Sequence, residues 1–132
     1  MRFQLMSLAA GLVFLAACGT STSPYGGGGG GGCTPTATRV CLVNTSDSPA
    51  NLTITHGATV TWTNGDPFAH TVTSSSTSAE AFNSPSAAQG GIASGGTFSH
   101  TFNTPGTFNY FCQFHGADGS PPTGMHGTIT VQ

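Results

Sequence analysis

Three side chains near the C-terminal end of this chain carry metal-binding atoms at close spacing. Cys112 and His115 stand in Phe111-Cys112-Gln113-Phe114-His115, and Met125 follows after a further loop. A second imidazole, His70, lies upstream, at the end of Val60-Thr61-Trp62-Thr63-Asn64-Gly65-Asp66-Pro67-Phe68-Ala69-His70. Two imidazoles, one thiolate and one thioether form the donor set of a mononuclear type 1 copper site, with the thioether as a weak axial ligand. The sulfur donors favour Cu(I) and the imidazoles also serve Cu(II), so one electron can arrive or leave with little rearrangement. Zinc accepts the same donors, but structural zinc prefers paired Cys and His to one Cys and a Met. His70, Cys112, His115 and Met125 are therefore the expected ligands of one copper ion. The plain alternatives are a buried, inert Cys112 and a Met125 that only fills the core.

The cysteine count supports a use for Cys112. The chain has four cysteines, at 18, 33, 41 and 112. Cys18 closes an N-terminal apolar run. Cys33 and Cys41 are close in sequence and are expected to form a disulfide in an oxidising compartment. Cys112 is then left alone, and a free thiol in an exported protein is a liability unless something, such as a metal, uses its thiolate. The other histidines read differently. His56 precedes Gly57 in a turn and is expected in solvent. His100, between Phe98 and Phe102, is expected to be a buried, hydrogen-bonded core residue. His126 should point outward if Met125 points inward, although a distorted loop could present it in place of Met125.

These residues need a scaffold, and the pattern is one of strands. Short Thr-, Val-, Ile- and Phe-containing runs alternate with turn signals. Strands are expected over 38–43, 51–55, 58–63, 70–73, 96–102, 107–112 and 125–131, with an irregular connection from Ser74 to Gly96 holding at most a short helix. Alternation puts Val60 and Trp62 inward, and likewise Phe108, Tyr110 and Cys112. Ile129 and Val131 must be core, so Met125 shares their face. The fold class expected is all-β, a Greek-key antiparallel β-sandwich of about 100 residues.

The start of the chain is an address. Arg2 precedes an almost wholly apolar run from Phe3 to Ala17, too short for a bilayer span of roughly 20 residues. Leu15-Ala16-Ala17-Cys18 resembles the lipobox of bacterial lipoproteins, which implies acylation of Cys18; an ordinary signal peptide with a chance Cys is the alternative. Gly19, rather than Asp, after that Cys leans toward the outer membrane. Seven consecutive glycines, Gly26 to Gly32, then form a flexible tether. The chain thus divides into a signal (1–17), an anchor and tether (18–32) and one domain (33–132), lipid-anchored and facing the periplasm. Without residues 1–17, the one basic side chain is Arg39, against Asp47, Asp66, Glu80 and Asp118. That excludes the cationic patch of a nucleic-acid binder.

At the ligand residues the sequence resembles the plastocyanin-like cupredoxins. The likeness covers about 52–132. It rests on Val60-Thr61-Trp62-Thr63-Asn64 leading to His70-Thr71-Val72, on Phe102-Asn103-Thr104-Pro105-Gly106-Thr107-Phe108 leading to Tyr110-Phe111-Cys112, and on Met125 entering Gly127-Thr128-Ile129-Thr130-Val131. It implies a Cu(I)/Cu(II) electron carrier rather than an enzyme. It also implies that His115 lies nearest the surface as the electron route. Thr71, and less directly Asn64, would then support the ligands through hydrogen bonds. Nine residues, Gly116 to Gly124, separate His115 from Met125, a longer gap than the family shows, and are expected to bulge outward over the site. Expected partners are other exported redox proteins, for example a c-type cytochrome or a membrane oxidase or reductase, met by a monomer. A copper chaperone or reservoir, and a metal-free structural sandwich, are the rival functions.

Overall fold

Consecutive strands of this chain are dealt out between two sheets. The computed structural model describes residues 32–132; the signal segment, Cys18 and all of the tether before Gly32 lie outside the described residues. The strands are β1 (Arg39–Val43), β2 (Ser46–Ser48), β3 (Asn51–Ile54), β4 (Thr59–Asn64), β5 (Thr73–Ser74), β6 (Thr97–Thr101), β7 (Gly106–Ala117) and β8 (Thr123–Val131). One sheet runs β2-β1-β4-β6 and the other β3-β8-β7-β5. The helical content among the described residues is a single 3₁₀ turn, Ala87–Gln89, inside the connection expected to be irregular.

The all-β sandwich is thus as expected, but its sheets are mixed rather than purely antiparallel. β1 pairs with β4, and β3 with β8, in parallel. The chain leaves the first sheet after β2, forms β3 in the second, and returns beside β1 in the same direction. Such sheet-crossing supplies the connection that a parallel pair requires. β2 was not expected at all. It forms because Asn44 and Thr45, both at φ 53°, make the two-residue turn of a hairpin that pairs Val43 with Ser46. Asn-Gly is the usual signal for that turn, and a β-branched Thr conceals it.

The inward parity holds in β4, β7 and β8. Val60, Trp62, Phe108, Tyr110, Cys112, Met125, Ile129 and Val131 are all buried. Trp62 of β4 meets Tyr110 of β7 edge-on, with ring centroids 5.4 Å apart, and so joins the two sheets. Phe82, from the irregular connection, stacks on Trp62 at 5.9 Å and closes the aromatic cluster over Phe102 and Phe108. Burying a Phe-sized side chain contributes about 1.5–3 kcal/mol. Cys33 and Cys41 form the expected disulfide, which ties the start of the domain to β1.

His100 departs from expectation. It is half-buried at the sheet surface, its Nε2 2.9 Å from the Glu80 carboxylate, and stacked on Phe82. β6 keeps its other neighbours only half-covered, so the carboxylate at the rim draws the ring outward.

Asp47 is the costly residue of this core. Its side chain is buried from β2 beside the Tyr110 hydroxyl, and neither carboxylate oxygen is in a close, well-aligned hydrogen bond. Burial pushes its pKa from the ordinary 3.8 up to about 7, against the Tyr110 hydroxyl, which acts downward. The folded state therefore keeps a proton that the unfolded chain has released. The contribution of Asp47 to stability should fall as pH rises from about 4 to about 7, by on the order of 4 kcal/mol across three pKa units. Urea unfolding at both ends of that window should show this slope in the wild type and little of it in Asp47→Asn; equal slopes would refute the assignment.

Candidate metal centre

The centre lies where β7 and β8 fall out of register. Phe111 pairs with His126 and Gly116 with Gly124, so the four residues Cys112 to His115 stand against the single residue Met125. A bulge of this kind bends a strand and re-aims its side chains. Cys112 already points inward by alternation; the bulge after it brings the exposed His115 to within reach of its sulfur and sets Met125, itself buried, across from both.

The third donor arrives from the loop after β4. Asn64, fully buried, donates from Nδ2 to the carbonyls of Phe68 and Ile92, each at 2.8 Å, while its Oδ1 accepts the Asp66 amide at 2.9 Å. His70 is held by a two-way backbone bridge with Ile92 rather than by the strand expected over 70–73, of which only Thr73 enters β5. Asn64 thus closes the loop that carries His70.

His70, Cys112 and His115 converge. Their ligand atoms lie within 4.8 Å of one another. Cys112 Sγ is 3.6 Å from His70 Nδ1 and 3.5 Å from His115 Nδ1. The Thr71 amide points at the same sulfur at 3.4 Å, and Thr71 Oγ1 accepts the Gln113 amide at 2.8 Å. Thr71 therefore acts through its backbone on the sulfur and through its hydroxyl on the ligand loop. Gln113 adds a tether that the sequence did not reveal: its Oε1 accepts the Ala87 amide at 2.7 Å.

Asp66 has a role that the sequence did not reveal. Its Oδ2 lies 2.9 Å from His70 Nε2, on the side of the ring away from Cys112. Its two oxygens also accept the Asn44 and Thr45 amides at 2.8 and 3.0 Å. The one sequence signal was its place four residues before His70 in a chain with only four carboxylate residues.

The local charges favour a thiolate. Burial raises the Cys112 pKa, but His70, the Thr71 and Phe114 amides and His115 outweigh it and bring the pKa down to about 6. Burial likewise opposes protonation of His70, and Cys112 and Asp66 overcome it, so that pKa is raised. At Asp66 burial again acts upward, and the Thr45 and Asn44 amides with His70 hold the carboxyl below its ordinary value. A thiolate at neutral pH is the form that binds metal. One thiolate and two imidazoles, held together by the surrounding protein, fit a copper ion.

The segment from Gly116 to Gly124 does not arch over the site as a loop. β7 and β8 continue past the bulge as a hairpin, pairing Gly116 with Gly124 and Ala117 with Thr123. Its tip is pinned to the segment after β5, where Asp118 accepts from Ser75 Oγ at 2.6 Å and from the Ser76 amide. Ladder pairing satisfies the backbone of these residues, which an outward bulge would leave to water. His56 and His126 are exposed and bond to the backbone carbonyls of Asn103 and Gly124.

Residues 45–132 match the model of copper binding proteins of the plastocyanin/azurin family. The chain belongs to that family. This cupredoxin is 38% identical over 90 residues to a plastocyanin of Scenedesmus fuscus, an alignment covering 64% of the chain and 84% of the relative. It resembles a purple cupredoxin from Nitrosopumilus maritimus at 30% identity and a TM-score of 0.57, over 72% of its own length and 99% of the other. It also resembles a copper-containing nitrite reductase from Thermus scotoductus at 27% identity and a TM-score of 0.60, over 76% of its own length and only 23% of that enzyme. The cofactor of this cupredoxin is one copper ion.

Two glycines lie against the backbone of the histidines. A Cβ at Gly91 would come within 2.5 Å of the His70 carbonyl oxygen, and one at Gly124 would collide with the His115 carbonyl oxygen. Both have positive φ, 65° and 72°. Gly124→Ala is expected to destabilise the fold by about 1–3 kcal/mol through φ strain alone. It should also perturb the copper spectrum, because the carbonyl that must give way belongs to His115. A variant of unchanged spectrum and stability would show that the hairpin yields without moving that residue.

Proposed function

We propose that this cupredoxin carries single electrons, with His70 Nδ1, Cys112 Sγ and His115 Nδ1 as its strong copper ligands and Met125 as the axial thioether. The observation that carries the reading is the convergence of three donor atoms, two on buried residues and one on an exposed residue. Copper bound there supplies a one-electron Cu(I)/Cu(II) couple. Hydrogen bonds to Thr71, Asn64 and Asp66 hold the donors in place, which favours a carrier over a chaperone that must release its ion. Four protein ligands leave no open position for a substrate, so the nitrite reductase likeness is read as shared architecture and not as catalysis.

His115 is the route to the partner. Phe68 and Phe114 flank it, with ring centroids 5.5 and 6.1 Å from its own, and stand 45% and 44% exposed, while the other large apolar side chains among the described residues are buried or half-buried. This apolar collar suits a docking face for another redox protein, such as a c-type cytochrome or a membrane oxidase or reductase. The sparse charge of the chain favours contact by shape and apolar area over long-range steering. Export and anchoring through Cys18, with the outer membrane favoured, complete the proposal.

Adding Cu(II) to residues 19–132 should give an intense visible thiolate-to-copper absorption with a compressed hyperfine splitting. Cys112→Ser should lose the colour entirely. A colourless wild type would sink the proposal. Met125→Leu should keep the colour and raise the reduction potential, and an unchanged potential would remove Met125 from the ligand set.

A further inference from the structure

We propose that Asp66 is a positioning residue for the copper couple: its buried carboxylate fixes His70 with Nδ1 toward Cys112 and biases the centre toward Cu(II). This rests on the copper reading above and names a group that governs it.

The geometry supplies each part. His70 has two ring nitrogens with separate tasks. Nδ1 lies 3.6 Å from Cys112 Sγ, where a metal ligand must present a lone pair. Nε2 then carries the proton and donates it to Asp66 Oδ2 at 2.9 Å. A carboxylate behind a ligating imidazole fixes its tautomer and orientation and raises its basicity. A more basic ligand beside a fixed negative charge stabilises the more highly charged ion, which is Cu(II).

The charge of Asp66 is held but not cancelled. Its other partners are two neutral amides, those of Asn44 and Thr45. Among the described residues its one ion-pair partner is His70 itself, and Arg39, the one basic side chain of Lys or Arg type there, forms no ion pair. The carboxylate is buried, so water screens it little. Asn44 and Thr45 sit at positive φ in a turn that belongs to the opposite sheet from Cys112. Asp66 therefore fastens that turn to the back of His70: the two amides hold the carboxylate in place, and the ring cannot rotate away without breaking its own hydrogen bond to it.

The test is the Asp66→Asn variant of the copper-loaded protein, which keeps size and one acceptor oxygen but loses the charge. The thiolate colour should persist. The ratio of Cu(II) to Cu(I) affinity should fall about tenfold, a rise in reduction potential of about 59 mV for one electron. A folded, coloured variant with an unchanged or lower potential overturns the proposal. The wild type gives a second measurement that needs no variant. In its Cu(I)-loaded form, a ¹⁵N-edited proton spectrum should show the His70 Nε2–H as a resonance protected from solvent, whereas the exposed His115 ring exchanges fast. A freely exchanging or missing His70 Nε2–H also overturns the proposal. Failure of the wild type to take up copper would end the copper reading and this inference together, whereas an unmoved potential in a coloured protein ends this inference alone.

Discussion

Four residues of β7 stand against one residue of β8, and the centre exists because of that mismatch. A regular ladder would place Cys112 and Phe114 on opposite faces from Gln113 and His115, so thiolate and imidazole could not meet. The bulge releases the chain from alternation for one short stretch. The ladder resumes beyond it, at Gly116 and Gly124, and clamps the irregular segment from both ends. The long connection after His115 thus becomes an anchor. Its tip bonds to Ser75 and Ser76, so the ligand segment is bounded by paired backbone on one side and a pinned hairpin on the other.

The first sheet contributes in a different currency. It supplies no ligand of its own, yet its polar groups decide where His70 stands. Asn64, the last residue of β4, closes the loop by three hydrogen bonds, and the β1–β2 turn is held by Asp66. Two carboxylates of this region meet opposite fates. Asp66 gathers two amides and an imidazole and is held ionised. Asp47, a few residues from the same turn, is buried with too few donors around it and is driven toward the neutral acid. Burial acts upward on both, and the donors that surround each carboxylate decide the outcome.

Much of this arrangement was legible in the residues. Period-two alternation placed Cys112 on the face of Phe108 and Tyr110, and Met125 on the face of Ile129 and Val131, and the structure buries all six. The pairing of Cys33 with Cys41 followed from their closeness and left Cys112 free. What escaped the sequence was set by contacts distant along the chain. The β1–β2 turn hides because Asn-Thr takes a conformation usually marked by glycine. The role of Asp66 stayed hidden because its amide partners lie about twenty residues upstream. The outward bulge expected of Gly116–Gly124 failed for a similar reason: length alone cannot show that two segments will pair. His100 was placed in the core by parity, which cannot see a carboxylate twenty residues away in the irregular connection.

The placement of charge ties these features together. Asp66 lies behind His70, on the side of the ring away from Cys112, while the collar of Phe68, His115 and Phe114 is uncharged apart from the imidazole itself. A charge on the collar would be stripped of water whenever a partner docked, and that desolvation would weaken the encounter. A charge behind His70 is already desolvated and already hydrogen-bonded, so docking leaves it untouched. The molecule can therefore adjust its copper from the protected side through Asp66 and keep the proposed contact face apolar. In this reading, potential and partner choice are governed by different residues, and a change at one need not disturb the other.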